Sequence, residues 1–358
     1  QIVFLQRYIT YICAVNHEYY MQRCLQLAKQ GLRNAAPNPS VGAVLVYQNK
    51  IISEAYTSAY GGAHAEVNCL QQINDAEILK NSTLYVSLEP CSHFGKTPPC
   101  SNLIIEKGIK KVVLACQDPN SLVAGKGIAK LKNAGIEVIE NILTKEATAL
   151  NKRFFTFHTK KRPYIILKWA QTPNGYFAPI DKEQFWITNK KTKALVHSWR
   201  SQEMAILVGE NTIITDNPRL NTRLVAGKNP LRIIINTQQK LNEKSIVFTD
   251  GNPTILFSNF EYNIDTETNT IISITDEKNV VKQVLNYLYQ HEINSLIVEG
   301  GAYTLNEFIA NNLWDEARIL HGANELKQGI KAPKIEGIFT EEYKIGTDTI
   351  KLLKNAKA

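Results

Sequence analysis

The sequence contains no run of about 20 uncharged apolar residues, the length that a helix needs to cross a bilayer. It also lacks the composition of a disordered or low-complexity chain, because 44% of its residues are hydrophobic and 21% are charged. We find no internal repeat. These absences exclude membrane-spanning, collagen-like and disordered classes, and 358 residues are enough for about two globular domains.

Cysteine is scarce, with six residues in the whole chain, so a disulfide-rich scaffold is excluded. All six lie between Cys13 and Cys116, and the second half of the sequence has none. This distribution predicts one cysteine-using site in a first domain and a different task for the second domain. A reducing, cytoplasmic location fits such thiols best.

Basic residues are only mildly in excess: 41 basic and 33 acidic residues give a net charge of +8. A small, dispersed excess favours phosphorylated small molecules over nucleic acid as ligands, although this alone leaves RNA open.

Residues 1–15 resemble a secretory signal peptide only faintly, because the arginine lies inside the apolar run and no small-residue cleavage site follows. We therefore expect no secretion. The alternative is that translation begins near Val15 or Met21 and that the earlier residues are an extension.

The spacing of apolar residues predicts two consecutive α/β segments. In the first segment we predict helices at 17–32, 101–107 and 126–134, a glycine turn entering a helix at 61–73, and strands at 41–47, from Ile51, at 83–88, 111–116 and 136–139. In the second segment we predict strands at 164–170, 205–208, 231–235, 254–257 and 295–298, and helices at 190–201, 278–290 and 302–311. The stretch 141–162, which ends in a basic turn, is the predicted junction.

A candidate metal site is formed by His64, Cys91 and Cys100, which are two thiols and one imidazole of the kind that zinc prefers. Three protein ligands leave a fourth position for water, whose pKa zinc lowers to about 7. Glu66, two residues after the histidine, can take the proton and deliver it to a leaving amine. His-x-Glu followed by Pro-Cys and a further cysteine is typical of zinc nucleobase deaminases. The remaining cysteines are interpreted as packing residues.

The two candidate cysteine ligands are separated by eight residues, whereas the nucleobase-deaminase signature has two. The inserted loop carries His93 and Lys96, both of which are donors suited to a phosphate. The longer loop therefore favours a phosphorylated substrate over a free nucleoside or a tRNA, and the alternative is a solvated loop with no such role.

The second half carries weaker signals. Val298-Glu299-Gly300-Gly301 follows an apolar strand and precedes a helix, and a glycine pair there lets backbone amides approach a phosphate, although many such turns have two glycines. Arg219 and Arg223 supply guanidinium groups that suit phosphate. The absence of a G-x-G-x-x-G motif argues against an ordinary Rossmann domain.

The chain resembles the bifunctional riboflavin-biosynthesis deaminase/reductases in both halves. The deaminase resemblance covers about residues 17–150 and lies in the segments APNPSVGAV, HAE, LEPCSHFGKTPPC and DPNSLVAGKGI. The reductase resemblance covers about 163–358 and lies in the segments ILKWAQTPNG, FWIT, WRSQEMAILVGENTIITDNPRL and VEGG. The two resemblances together imply an α/β protein with two domains. The N-terminal domain, at 16–150, is a cytidine-deaminase-like α/β/α sandwich, and the C-terminal domain, at 160–358, is a dihydrofolate-reductase-like α/β domain.

The resemblance also implies two reactions and their residues. The first is hydrolytic deamination of 2,5-diamino-6-(5-phosphoribosylamino)pyrimidin-4(3H)-one, with zinc on His64, Cys91 and Cys100 and with Glu66 as proton shuttle. The second is reduction of the ribosyl group to ribityl by NADPH. The implied deaminase-substrate contacts are Asn38, His93, Lys96, Asn120 and Ser121. The implied cofactor contacts are Ala170, Trp186, Thr212, Asp216, Leu220 and Gly301. The implied reductase-substrate contacts are Lys168, Gln184, Arg200, Arg223 and Glu299, with Arg200 and Arg223 on the phosphate.

The chain differs from the common family pattern at Asn174, Gln184 and Asn217. These differences bear on individual substrate contacts and not on the predicted reductase fold. We expect a cytoplasmic homo-oligomer that acts on a small phosphorylated pyrimidine, with no nucleic acid and no membrane. One alternative is a tRNA adenosine or nucleotide deaminase with an appended nucleotide-binding domain, against which the long loop argues. Another is a structural zinc domain with a nucleotide-sensing partner domain, against which the open ligand position beside Glu66 argues.

Overall fold

The computed structural model describes residues 16–94, 98–121, 123–180 and 185–357, and it divides the chain into two compact units between Lys160 and Lys161. Among these residues no helix is both long enough and apolar enough to cross a membrane. The extension at 1–15 and two predicted contacts, Lys96 and Gln184, lie outside the described residues.

The first unit contains a five-stranded sheet. Its elements are α1 (His17–Ala35), β1 (Gly42–Tyr47), β2 (Lys50–Tyr56), α2 (Ala65–Leu70), α3 (Ala76–Lys80), β3 (Thr83–Val86), α4 (Cys100–Glu106), β4 (Lys111–Leu114), α5 (Lys126–Asn133), β5 (Glu137–Ile139), α6 (Thr144–Leu150) and α7 (Lys152–Lys160). The strand order is β2-β1-β3-β4-β5. β1 is antiparallel to both of its neighbours, while β3, β4 and β5 are parallel.

The centre of this sheet is buried because β1 is a continuous apolar run. α1 begins at an Asn16 cap, whose side chain accepts a hydrogen bond from the Tyr19 N–H, and it turns its apolar face to β1. The approach is close at Gly42, where a β-carbon would lie 1.9 Å from the carbonyl oxygen of Cys24. Only glycine therefore permits this helix to lie so near the strand.

The second unit contains a nine-stranded sheet and a short two-stranded one. Its elements are β6 (Tyr164–Gln171), β7 (Tyr176–Ala178), α8 (Lys190–Gln202), β8 (Ala205–Gly209), α9 (Glu210–Asp216), β9 (Leu231–Asn236), α10 (Ile246–Thr249), β10 (Thr254–Ser258), β11 (Asn269–Ile272), α11 (Val280–Gln290), β12 (Ser295–Gly300), α12 (Ala302–Ala310), β13 (Glu316–His321), β14 (Ile330–Lys331), β15 (Ile338–Ile345) and β16 (Asp348–Lys354). The large sheet has the order β11-β10-β9-β8-β12-β6-β13-β16-β15, and β14 pairs with β7.

The large sheet is parallel from β11 to β13, and β16 and β15 extend it in antiparallel fashion. Alternate side chains of β6 enter two apolar cores: Ile165 and Trp169 face one, and Tyr164 and Ile166 face the other. Two covered faces are what a parallel sheet requires. The α/β class predicted from the sequence is confirmed in both units.

The structure differs from the prediction at 141–162, which is not a simple junction but the helices α6 and α7. Ala147, Phe154 and Phe157 are buried there, so the segment belongs to the first unit. The hairpin of β15 and β16 was not predicted, because β15 is exposed along most of its length and has no apolar alternation to reveal it.

Candidate functional sites

The three predicted metal ligands come together in the first unit. The Nδ1 atom of His64 lies 3.6 Å from Sγ of Cys91 and 3.2 Å from Sγ of Cys100. All three ligand atoms lie within 4.8 Å of one another. Zinc bonds of about 2.0 Å to nitrogen and 2.3 Å to sulfur place tetrahedral ligands about 3.5 Å apart, so the donor set fits one zinc ion in type and spacing.

Local structure explains why these residues converge. His64 is the cap residue before α2, Cys91 follows β3, and Cys100 opens α4 behind Pro99. The backbone N–H of Cys100 donates a 3.3 Å hydrogen bond to Sγ of Cys91. Hydrogen bonds from the Cys100 thiol and from His64 lower the pKa of Cys91 to about 4. The thiolate is the form that binds a metal.

Glu66 is the second residue of α2 and is 3% exposed. Burial raises the pKa of Glu66 to about 7, although the neighbouring His64 opposes the shift. Its electrostatic partners are the three candidate ligands, so the carboxyl lies beside the cluster. A carboxyl in this place can exchange a proton with a group bound at the cluster.

Glu89 is a positioning residue to which the sequence analysis gave no role. Its buried carboxylate accepts hydrogen bonds from the backbone N–H groups of Asp118 at 3.2 Å, Gly125 at 2.9 Å and Ile128 at 3.1 Å. Because Cys91 follows two residues later, these bonds fasten the loop 118–125 to the metal loop. The signal in the sequence was an acidic residue directly before Pro-Cys.

The predicted deaminase-substrate contacts lie on three loops. Asn38 is half-buried between α1 and β1, in a loop held by the Asn151 amide, which bonds the backbone of Ser40 twice at 2.9 Å. His93 is exposed two residues after Cys91. Asn120, half-buried, and Ser121, exposed, lie on the loop that Glu89 fastens. Their contact with substrate stays a prediction.

The second unit has a cavity of about 910 Å³ at the carboxyl ends of β6, β8 and β12. Ligands commonly bind at this edge of a parallel sheet. The cavity lining includes each predicted reductase residue that the structure describes, namely Lys168, Ala170, Trp186, Arg200, Thr212, Asp216, Leu220, Arg223, Glu299 and Gly301.

A buried charge network forms one wall of this cavity. The Arg200 Nε and Nη2 atoms donate to the two carboxylate oxygens of Glu299, each at 2.7 Å, and Lys168 Nζ lies 3.4 Å from the same carboxylate. Burial alone raises the pKa of Glu299, but the charges of Arg200 and Lys168 outweigh it and hold the pKa at about 2. Glu299 is therefore ionised at neutral pH.

The glycine pair predicted to accept a phosphate lies at the start of α12. Gly300 has a φ of +130° and a β-carbon there would lie 3.1 Å from Phe177, so the position requires glycine. Gly301 precedes the helix, and a β-carbon on it would meet only Thr212 Oγ1, at 3.7 Å. The backbone amides at this helix start are open to the cavity and suit the diphosphate of a dinucleotide.

Two further residues of the cavity, Lys193 and His197, were missed by the sequence analysis. Lys193 Nζ lies 3.7 Å above the ring of Trp186. Both missed residues lie on α8: His197 is one turn before Arg200, and Lys193 is two turns before it. Lys193 and His197 are four residues apart, and His197 and Arg200 are three apart, so the three side chains share one face of the helix, which is the signal that could have found them.

Each of the two units matches a known protein family. Residues 14–116 match the family model of the cytidine and deoxycytidylate deaminase zinc-binding region, and residues 163–323 match that of the RibD C-terminal domain. The riboflavin biosynthesis protein RibD of Aquifex aeolicus is 41% identical over 322 residues, covering 87% of this chain and 88% of that protein.

Solved structures agree with these matches. A diaminohydroxyphosphoribosylaminopyrimidine deaminase/5-amino-6-(5-phosphoribosylamino)uracil reductase of Thermotoga maritima superposes with a TM-score of 0.85 at 34% identity, covering 95% of this chain and 99% of that one. RibD of Acinetobacter baumannii superposes with a TM-score of 0.86 at 31% identity, covering 94% of this chain and 98% of that one. The predicted pairing of a cytidine-deaminase-like fold with a reductase fold is confirmed.

Proposed function

Because this chain belongs to the RibD family of riboflavin-biosynthesis proteins, we propose that its residues carry out two successive reactions in the places described above. The chain is a bifunctional deaminase and reductase that uses zinc and NADPH. The deaminase is assigned to residues 16–150 and the reductase to 160–358. The observation that carries the proposal is the convergence of three zinc-type ligands beside a buried carboxyl.

In the deaminase, His64, Cys91 and Cys100 would hold a zinc ion. Zinc, when bound, makes water nucleophilic at neutral pH. Glu66 takes a proton from the attacking water and passes it to the 2-amino group, which leaves as ammonia. Glu89 keeps Asn120 and Ser121 in place on the loop that contacts the pyrimidine. The product is 5-amino-6-(5-phosphoribosylamino)uracil.

In the reductase, the turn at Gly301 and the Thr212 hydroxyl would hold NADPH, which would supply a hydride. Ala170, Trp186, Asp216 and Leu220 line the space in which the cofactor is held. Lys168 and Glu299 face the sugar, whose ring must open to expose an electrophilic carbon. The chain's contribution is mostly to position the two reactants and to exclude water.

The same proposal includes a small phosphorylated pyrimidine as substrate, a cytoplasmic location and a homo-oligomeric state. It requires neither nucleic acid nor a membrane. The alternative of a tRNA adenosine deaminase is not favoured, because the relatives that match along both halves are riboflavin-biosynthesis proteins. Light scattering of the purified chain tests the oligomeric state, and a monomer would contradict that part.

The whole proposal is tested by supplying the purified protein with 2,5-diamino-6-(5-phosphoribosylamino)pyrimidin-4(3H)-one. Ammonia release reports deamination, and loss of NADPH absorbance reports reduction. We expect ammonia without NADPH, and NADPH oxidation only after the deaminated product has formed. Ammonia release without any NADPH oxidation would restrict the proposal to the first unit.

A further inference from the structure

Glu210 is a buried carboxylate in the wall of the second-unit cavity, and the mechanism described above gives it no task. It is the first residue of α9 and is 6% exposed. Its Oε2 atom accepts hydrogen bonds from the backbone N–H groups of Thr237 at 2.8 Å and Gln238 at 2.9 Å. The Asn236 side-chain amide donates to the same oxygen at 2.5 Å. Three donors therefore meet on one carboxylate oxygen.

The register of the sheet explains why these residues meet. Gly209, the last residue of β8, is paired with Ile235 of the neighbouring parallel strand β9. Glu210 and Asn236 directly follow this pair, so the two chain segments leave the sheet side by side. A carboxylate buried at this place needs donors to replace the water that it has lost, and the amides at the end of β9 supply them.

Asn236 holds the turn 237–239 from the other side. Its side chain is fully buried, and its Nδ2 atom also donates to the carbonyl oxygen of Gln239 at 2.7 Å. Its Oδ1 atom accepts hydrogen bonds from the hydroxyls of Ser258 at 2.9 Å and Tyr262 at 2.5 Å. The turn is thus bound to α9 on one side and to the end of β10 on the other, and the buried carboxylate is its link to α9.

The turn 237–239 lies at one end of the cavity. Thr237 and Ile235 line the cavity, as does Lys168 of β6, and the strands between β9 and β6 are β8 and β12. Three strand spacings separate β6 from β9, which is about 14 Å. In the proposed reductase the nicotinamide is placed at the sugar, near Lys168, and the diphosphate at Gly301. An extended dinucleotide therefore directs its adenosine half toward β9.

The charge at this end of the cavity suits the adenosine half of NADPH, which carries an additional phosphate. α11 follows β11 and begins at the carboxyl edge of the parallel sheet. The segment that opens it contributes Lys278 and Lys282 to the cavity lining, against one acid, Glu277. An excess of cations at a cavity wall favours an anion. The negative charge of Glu210 is offset by its three hydrogen-bond donors.

We propose that Glu210 is a positioning residue for the reductase cofactor: its carboxylate fastens the turn 237–239 to α9, and this turn receives the adenosine half of NADPH. The inference rests on the proposed function, since it requires a dinucleotide in this cavity. α9 also carries Thr212, two residues further along, so one carboxylate joins two parts of the cofactor site.

The test uses the full chain with Glu210→Ala, which leaves two backbone N–H groups and the Asn236 amide without their acceptor. We expect the KM for NADPH and the Kd of adenosine 2′,5′-bisphosphate, measured by calorimetry, to rise about 10- to 100-fold. The bisphosphate represents the adenosine half alone. The kcat at saturating NADPH and the KM for 5-amino-6-(5-phosphoribosylamino)uracil should stay within about twofold, because only cofactor binding is weakened.

Two further variants separate positioning from stability. Glu210→Gln keeps an oxygen that can accept the same hydrogen bonds, and it should restore the Kd to within about fivefold of the wild type. Asp265→Ala is the matched control, because Asp265 accepts a backbone hydrogen bond from Glu267 at 2.9 Å but is exposed and outside the cavity lining. A purely structural role of Glu210 would lower the unfolding temperature of Glu210→Ala and leave both cofactor constants unchanged, which would contradict the proposal.

An equal rise in the KM for NADPH and the KM for the aminouracil would also overturn the proposal, as would a wild-type protein that does not bind the bisphosphate. If Glu210→Ala does not fold, Glu210→Asp decides, because it keeps the charge but withdraws the carboxylate by one carbon. The Kd of the bisphosphate should then rise, and a wild-type value would overturn the proposal. If the wild type binds the bisphosphate and yet oxidises no NADPH with the aminouracil, the proposed reductase function fails while the positioning role is still judged by this Kd.

Discussion

Replacing Glu299 by glutamine should destabilise the second unit, because it removes the carboxylate that neutralises Arg200 and Lys168. The side chains of these three residues are 6%, 13% and 13% exposed, so the charges are shielded from water. Breaking a buried ion pair by removing one partner costs about 3–5 kcal/mol. The pKa of Glu299, about 2 against an ordinary 4.5, gives a similar size, about 3 kcal/mol.

The pH dependence of this stabilisation has a definite sign. Because folding lowers the pKa of Glu299, its contribution is complete above pH 4.5 and is lost as the pH falls toward 2. The difference in unfolding free energy between the wild type and Glu299→Gln should therefore be largest at neutral pH. It should shrink below pH 4.5, where the wild-type carboxyl itself becomes protonated and neutral.

Tryptophan fluorescence provides a selective assay, because the four tryptophans, at 169, 186, 199 and 314, all lie in the second unit. Urea titration at pH 7 should show a midpoint lower by about 1.5–2.5 M, given a slope of about 2 kcal/mol per molar. The matched control is Glu342→Gln, since Glu342 pairs with Lys351 at the surface and such pairs contribute at most about 1 kcal/mol. Equal losses in the two variants would refute the reasoning.

Three other substitutions test the first unit. Cys91→Ser should lose zinc by elemental analysis, and full zinc content would remove Cys91 from the ligand set. Glu66→Gln should keep zinc and lose deamination by about 10²–10⁴-fold, the usual contribution of a general acid–base group, and retained ammonia release would exclude its role. Gly127→Ala should impair deamination more than reduction, because a β-carbon at this position would lie 2.0 Å from the carbonyl oxygen of Pro90, the residue next to Cys91. Equal loss of the two activities would contradict a local effect on the metal loop.

The metal cluster could be predicted because each ligand is tied to a local signal. His64 precedes a helix start, and proline precedes both Cys91 and Cys100, so loop and helix termini bring them to one edge of a sheet. The helix α1 and the buried β1 were likewise visible as apolar periodicity. Chemistry and local structure agree at these positions, which is why the sequence was informative there.

The partners within the reductase cavity could not be predicted in the same way. Arg200 and Glu299 are 99 residues apart, and only the pairing of β12 with β6 and β8 brings Glu299 to α8. The family resemblance could mark Arg200 as a substrate residue, but the sequence could not show that two of its N–H groups donate to the Glu299 carboxylate. Lys193 and His197 were overlooked because a basic helix face usually lies in solvent.

X-ray absorption at the zinc edge, on the purified full chain, tests the central claim most directly. The account predicts one zinc per chain with two sulfur ligands at about 2.3 Å, one imidazole nitrogen at about 2.0 Å and one further oxygen or nitrogen. A closed shell of four protein ligands, or a chain that binds no zinc, would contradict it.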